Sequence, residues 1–171
     1  QVDVSERLNR TFFSQIPNVV GMSATLAVDG RFDHLIDALG MEVDGKRPVE
    51  LIVGSPFDFE RQALLVVPEG APPPNDAKFR DWTAQTFAEI VKQAEGRTMG
   101  LFTSYKSLDA AHAAVKDCGY TVLRQGDMPR TALVEAFRKD VSSVLLGTSS
   151  FWEGVDVPGE ALSVLVIDRL P

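Results

Sequence analysis

From Thr98 to the end of the chain, apolar runs alternate with amphipathic ones in a regular order, and this alternation narrows the possible folds more than any other feature. "TMGLFTS" reads as a strand and "SLDAAHAAVKDCG" as a helix closed by Gly119. "YTVLRQG" is a strand, "RTALVEAFRKD" a helix, "SSVLLGT" a strand, and "ALSVLVIDRL" the last strand. The strands are almost continuously apolar, as strands covered on both faces must be. Strand and helix in turn, with such strands, predict an α/β fold: three layers, a mainly parallel sheet and helices on both faces.

The first half is less regular. Val4, Leu8, Phe12 and Ile16 recur at helical spacing, with Asp3 or Ser5 as cap and Pro17 as stop. "NVVGMSATL" reads as a strand opening into a loop, and "FDHLIDALG" as a short helix with Gly40 as its left-handed stop. "PVELIVGSPF" and "ALLVV" read as short strands. "PEGAPPPND" is a loop, because three successive prolines fit neither a helix nor a central strand. A long helix is expected from Asp76 to Glu95, ended by Gly96, with Phe79, Trp82, Ile90 and Val91 on its apolar side.

The 171 residues are near one domain's length, and 44% hydrophobic content is enough for a core. The net charge of -7 argues against a surface that attracts nucleic acid everywhere, but leaves room for a local phosphate site. Cys118 is the single cysteine, so there is no disulfide framework and no cluster-binding set, and a reducing, intracellular setting is expected. No apolar run is long enough for a bilayer. The chain opens at Gln1 and stops just after a strong strand signal, and so reads as a fragment of a longer protein.

In a parallel sheet of this kind, ligands gather beyond the carboxyl ends of the strands. Three loops leave those ends: "TSYKS", "QGDMP" and "GTSSFWEGVDVPG". Thr148, Ser149 and Ser150 offer hydroxyl and N–H donors in one turn, which suits a phosphate. Glu153 and Asp156 follow and would repel a phosphate at the same point, so the loop is expected to have two sides. A solvated turn with hydroxyl caps explains the same residues equally well. Phe151 is expected in the core; Trp152 either anchors the loop or stacks on a base. Thr103, Ser104, Tyr105 and Lys106 stand at a strand end and a helix start, a ready anion site, with an N-cap at Ser104 or Ser107 in either case. His34 and His112 are isolated, and neither has metal-ligand spacing. There is no nucleophile elbow, zinc pattern, Rossmann fingerprint or GxxxxGK[ST] phosphate loop.

"GMSATL", "LFTSYKSLDAAHAAV", "QGDMPRTALVEAF" and "SSVLLGTSSFWEGVDVPGEALSVLVIDRLP", in that order, resemble the motifs of the second RecA-like domain of superfamily-two helicases, and within those the DinG/XPD group. The resemblance covers about Phe12 to Pro171, and "GTSSFWEGVDVPG" is its most specific piece. It implies a RecA-like fold without the phosphate loop, with residues 1–26 a remnant of the first motor domain and 27–171 the second, truncated before motif VI. Ser23 and Thr25, in motif III, would then link the nucleotide cleft to the nucleic-acid path, and Glu153, Gly154 and Asp156 would serve the cleft side of motif V. Thr103, Ser104, Tyr105 and Lys106 (motif IV), Gln125, Gly126 and Asp127 (the next strand end), and Thr148, Ser149, Ser150 and Trp152 (motif V) would face the DNA.

The implied protein is an ATP-dependent helicase that moves on single-stranded DNA and unwinds duplexes. It would be a cytoplasmic monomer with no membrane partner. ATP and Mg²⁺ would be held mainly by the first motor domain, and an iron–sulfur cluster, if present, would lie outside this chain. No catalytic or metal-binding residue is expected within the chain, and the chain alone should be inactive. The rival readings are a non-catalytic α/β binding or regulatory domain and a small-molecule enzyme. The first lacks a receiver's acidic pair after its early strands; the second lacks a histidine or a nucleophile–base pair at the ligand edge.

Overall fold

The structure is a computed structural model that describes residues 3–170. The chain divides into two compact units, Gln1–Val66 and Val67–Pro171.

In the first unit, helix α1 (Ser5–Leu8) runs into a π-helical turn (Asn9–Phe13). Asp3 Oδ1 accepts from the Ser5 N–H at 2.9 Å and from its hydroxyl at 2.7 Å just ahead of α1, but the N-cap position is Val4, which has no side-chain cap hydrogen bond, so neither Asp3 nor Ser5 is the N-cap. Helix α2 (Asp33–Leu39) ends at Gly40 in the left-handed region, φ 64°, as expected. A side chain is also excluded there by space, since a Cβ would lie 2.2 Å from the Ser5 carbonyl oxygen. Asn9 Nδ2 ties the two helices by donating to the carbonyls of Gly40 (2.8 Å) and Glu42 (2.5 Å). A further single-turn helix, α3, spans Phe59–Gln62.

Three expected strands do not form. "NVVGMSATL", "PVELIVGSPF" and "ALLVV" pair with nothing among the described residues. Their apolar side chains are exposed, Val49, Ile52, Val53, Leu64 and Leu65 among them. An apolar run supplies strand propensity, but a strand also needs a neighbour for its N–H and C=O groups, and here none is in register.

The second unit is a four-stranded parallel sheet in the order β2-β3-β1-β4. The strands are β1 (Thr98–Leu101), β2 (Val122–Arg124), β3 (Val144–Gly147) and β4 (Val164–Ile167). Helix α4 (Phe79–Gln93) precedes the sheet, α5 (Tyr105–Val115) joins β1 to β2, and α6 (Arg130–Lys139) joins β2 to β3. α4 is shorter than the expected 76–95, because Asp76 instead makes a turn that accepts from the Lys78 and Phe79 N–H groups. Phe79 and Val91 are buried on its inner face as expected; Trp82 and Ile90 are half-buried, and Phe87 takes the central place.

The pleat sorts the core into two layers. Val144 and Leu146 point to the face covered by α4 and α5, where they meet Phe87, Val91, Phe102, Leu108, Ala111 and Val115. The Phe87 and Phe102 rings stack edge-on at 5.5 Å over Gly100, where a Cβ would come within 2.8 Å of both. Met99, Leu101, Leu123 and Leu145 point the other way, onto Leu133 and Phe137 of α6 and onto Phe151. All residues of β1 and β3 are buried, whereas in β4 Leu165 and Ile167 are exposed. The predicted α/β class, parallel sheet and helices on both faces are all present.

Candidate nucleic-acid interface

β1, β2 and β3 lie side by side and parallel, so the loops after Leu101, Arg124 and Gly147 leave the same edge of the sheet. Gln125 joins all three. Its Oε1 accepts from the Thr148 N–H at 2.6 Å and from the Thr148 hydroxyl at 3.1 Å. Its Nε2 donates to the Tyr105 hydroxyl at 2.8 Å. Both ends of its amide are thus used inside the protein, and Thr148 is buried. The next residues, Gly126 and Asp127, are exposed; Asp127 lies 3.5 Å from Arg124, which also meets Asp109 at 2.5 Å. The Arg124 guanidinium pKa is raised, first by its hydrogen bond to Asp109.

The first loop is fastened to the end of β4. Thr103 N–H donates to Asp168 Oδ1 at 3.0 Å, and its hydroxyl donates to Oδ2 at 3.2 Å. Arg169 Nε donates back to the Thr103 hydroxyl at 2.7 Å. Burial raises the Asp168 carboxyl pKa above its ordinary value, and the Thr103 and Arg169 hydrogen bonds oppose that rise. Ser104 is the N-cap of α5, extended in backbone, with its Oγ accepting from the Ser107 N–H at 3.2 Å. Tyr105 and Lys106 are exposed, and Lys106 makes no ion pair among the described residues.

The third loop begins with a 3₁₀ turn, Ser149–Phe151. Phe151 folds back and is buried, as expected, in the space left by Gly147, where a Cβ would lie 2.7 Å from its ring. Trp152 is half-buried against the same core, and Ser149 and Ser150 are exposed. Glu153, Gly154 and Asp156 are exposed as well, and the two carboxylates make no hydrogen bond or ion pair among the described residues. The loop is held through its backbone: Arg130 Nη2 donates to the Glu153 carbonyl at 2.5 Å, and Arg138 Nε donates to the Asp156 carbonyl at 2.9 Å. Ser23 and Thr25 belong to the first unit; both are exposed, and the Thr25 N–H lies 3.4 Å from Ser23 Oγ.

Residues 87–171 match the helicase C-terminal domain family. The chain is 40% identical, over 173 residues and 99% of its length, to the ATP-dependent helicase DinG of Mycobacterium tuberculosis (strain H37Rv). Residues 87–171 thus carry a helicase C-terminal domain, and nearly the whole chain resembles the corresponding part of DinG-type helicases. It is also 37% identical over 87% of its length to the ATP-dependent DNA helicase YoaA of Haemophilus influenzae, and 31% identical over 99% to the Bacillus subtilis protein named 3'-5' exonuclease DinG. It spans 26%, 23% and 19% of these relatives, so each of their activities belongs to a much longer protein.

Among the described residues no three or more His, Cys, Asp and Glu side chains come together, and a single cysteine cannot hold an iron–sulfur cluster. Four residues of the interface have no counterpart in the sequence reading: Asp168, Arg169, Arg130 and Arg138. Asp168 and Arg169 end an apolar strand, where strand-end polarity is routine. A guanidinium that binds a distant carbonyl leaves no spacing pattern at all.

Proposed function

We propose that this chain is part of an ATP-dependent DNA helicase that moves along single-stranded DNA and unwinds duplexes. Residues 27–171 form its second RecA-like domain, and residues up to 26 close the first. The observation that carries this reading is the Tyr105–Gln125–Thr148 network, which makes one surface of the three loops that carry the helicase-like motifs. ATP and Mg²⁺ are held mainly by the first motor domain, where the Mg²⁺ neutralises phosphate charge. This chain's residues bind and position: the exposed Ser149 and Ser150 hydroxyls, Tyr105 and Lys106 meet the sugar–phosphate strand, and Trp152 stays in reach of a base. Thr103, Ser104, Gln125 and Thr148 hold the loops in shape, since their polar groups are already engaged. Gly126 and Asp127 line the rim. Contacts of this kind read no base edge, so the grip is independent of sequence. Glu153, Gly154 and Asp156 serve the nucleotide side of motif V, and Ser23 and Thr25 belong to motif III. The protein works as a monomer in the cytoplasm.

The test uses the full-length protein with Ser149→Ala, Ser150→Ala and Lys106→Ala combined. Single-strand affinity should fall about tenfold, alike for unrelated sequences, with a shallower dependence on salt because one phosphate contact by a cation is gone. Unchanged affinity, or a loss for one sequence only, contradicts the assignment.

A further inference from the structure

Helix α6 carries two arginines eight residues apart, and both reach the same loop. Eight residues of helix rise about 12 Å, a little over two turns, so Arg130 and Arg138 lie close to one face. Their targets, the carbonyls of Glu153 and Asp156, are three residues apart, a stretch that spans at most roughly 10 Å. The long side chains close that gap. Arg130 Nη2 donates to the Glu153 carbonyl at 2.5 Å, and the guanidinium carbon lies 5.5 Å from the centre of the buried Phe151 ring. Arg138 donates to the Asp156 carbonyl through Nε at 2.9 Å and also through Nη2, while its Nη1 meets Glu135 at 3.1 Å. Gly154 lies between the two anchored residues with φ 66°, and a Cβ there would sit 3.2 Å from Arg130 Nη2.

We infer that Arg130 and Arg138 are positioning residues: a two-point clamp that fixes the backbone of the 152–157 loop against α6. The clamp uses carbonyl oxygens, so the carboxylates of Glu153 and Asp156 stay unpaired. It also turns charge to an unusual use. An arginine near DNA would ordinarily serve as a phosphate contact, but these two have their donors directed at the protein's own loop. A lysine cannot take the place of Arg138, because a single ammonium lacks the planar fork that sets two nitrogens on one carbonyl. The functional half of this inference rests on the helicase reading above; the structural half does not.

The experiment replaces Arg130→Lys and Arg138→Lys, singly and together, in the full-length protein, so that charge is kept. Three quantities are measured: amide hydrogen exchange across residues 152–157, single-strand affinity over a range of salt, and ATP turnover with saturating DNA. The expected result for the double variant is at least fivefold faster exchange in the loop with β3 and α4 unchanged. Maximal DNA-stimulated turnover should fall about fivefold or more, while affinity stays within twofold and keeps its salt slope. Exchange equal to the parent's overturns the clamp. So does a loss of affinity with normal loop exchange, which would make these arginines phosphate contacts. If the parent's turnover proves indifferent to DNA, the helicase reading fails, and the loop exchange still decides the clamp.

Discussion

Glu153 and Asp156 are bound by their carbonyls, and their carboxylates have no partner among the described residues, so the acids are not there to build the turn. A carboxylate turned toward a DNA phosphate would cost roughly 1 kcal/mol for unit charges about 4 Å apart in water, and more where water is excluded. We therefore expect Glu153→Gln and Asp156→Asn in the full-length protein to leave folding and single-strand binding nearly intact. Each should lower DNA-stimulated ATP turnover about tenfold, equivalent to roughly 1.4 kcal/mol of barrier. Turnover at the parent rate would remove the coupling role. Asp168 gives a second check, through pH. Its pKa is raised on folding from an ordinary 3.8, with burial as the first cause. The folded state therefore holds its proton more tightly than the unfolded one, so this group lowers stability as pH rises through that window and stops doing so below it. Asp168→Asn should melt no lower than the parent at pH 7, and its relative advantage should shrink as pH falls toward 4. An advantage that grows on acidification contradicts the burial argument. Ser104 as a cap and Phe151 as core were both legible beforehand, because capping and apolar bulk act locally. The Asp168–Thr103 link was not, because it joins residues 65 apart in sequence.

The strands and helices after Thr98 could be read because each apolar run there has a parallel neighbour that uses its backbone groups. The runs before Phe79 carry the same local signal and stay unpaired, since propensity without a partner leaves N–H and C=O groups to water. The junction of β3 with its 3₁₀ turn is the element on which the interface depends most. Gly147 leaves room for Phe151, and Phe151 sets where Ser149 and Ser150 stand. In Gly147→Ala the new Cβ would fall 2.7 Å from the Phe151 ring, so the ring and the turn must move. Overpacking of this kind costs about 1–3 kcal/mol. We expect a loss of that size in chemical denaturation, with weakened single-strand binding by the folded fraction. Full stability would show that the turn tolerates displacement.

For the whole molecule, a parallel sheet directs its chemistry to one edge, and here that edge carries three loops tied together by Gln125. The opposite end carries Val141 in the exposed turn between α6 and β3. The helicase reading therefore makes a claim about direction: DNA passes the carboxyl ends of the strands. Order along the chain made that edge legible, since strand–helix alternation fixes which loops leave together. Which hydroxyls remain free on it was decided by contacts that only the folded chain reveals. The most direct measurement is photo-crosslinking of the full-length protein to single-stranded DNA, with a photoreactive amino acid placed at Ser150, at Lys106 or at Val141. Crosslinks from Ser150 and Lys106, with none above background from Val141, are expected. Crosslinks from Val141 equal to or stronger than those from the loop positions would contradict the placement of the strand.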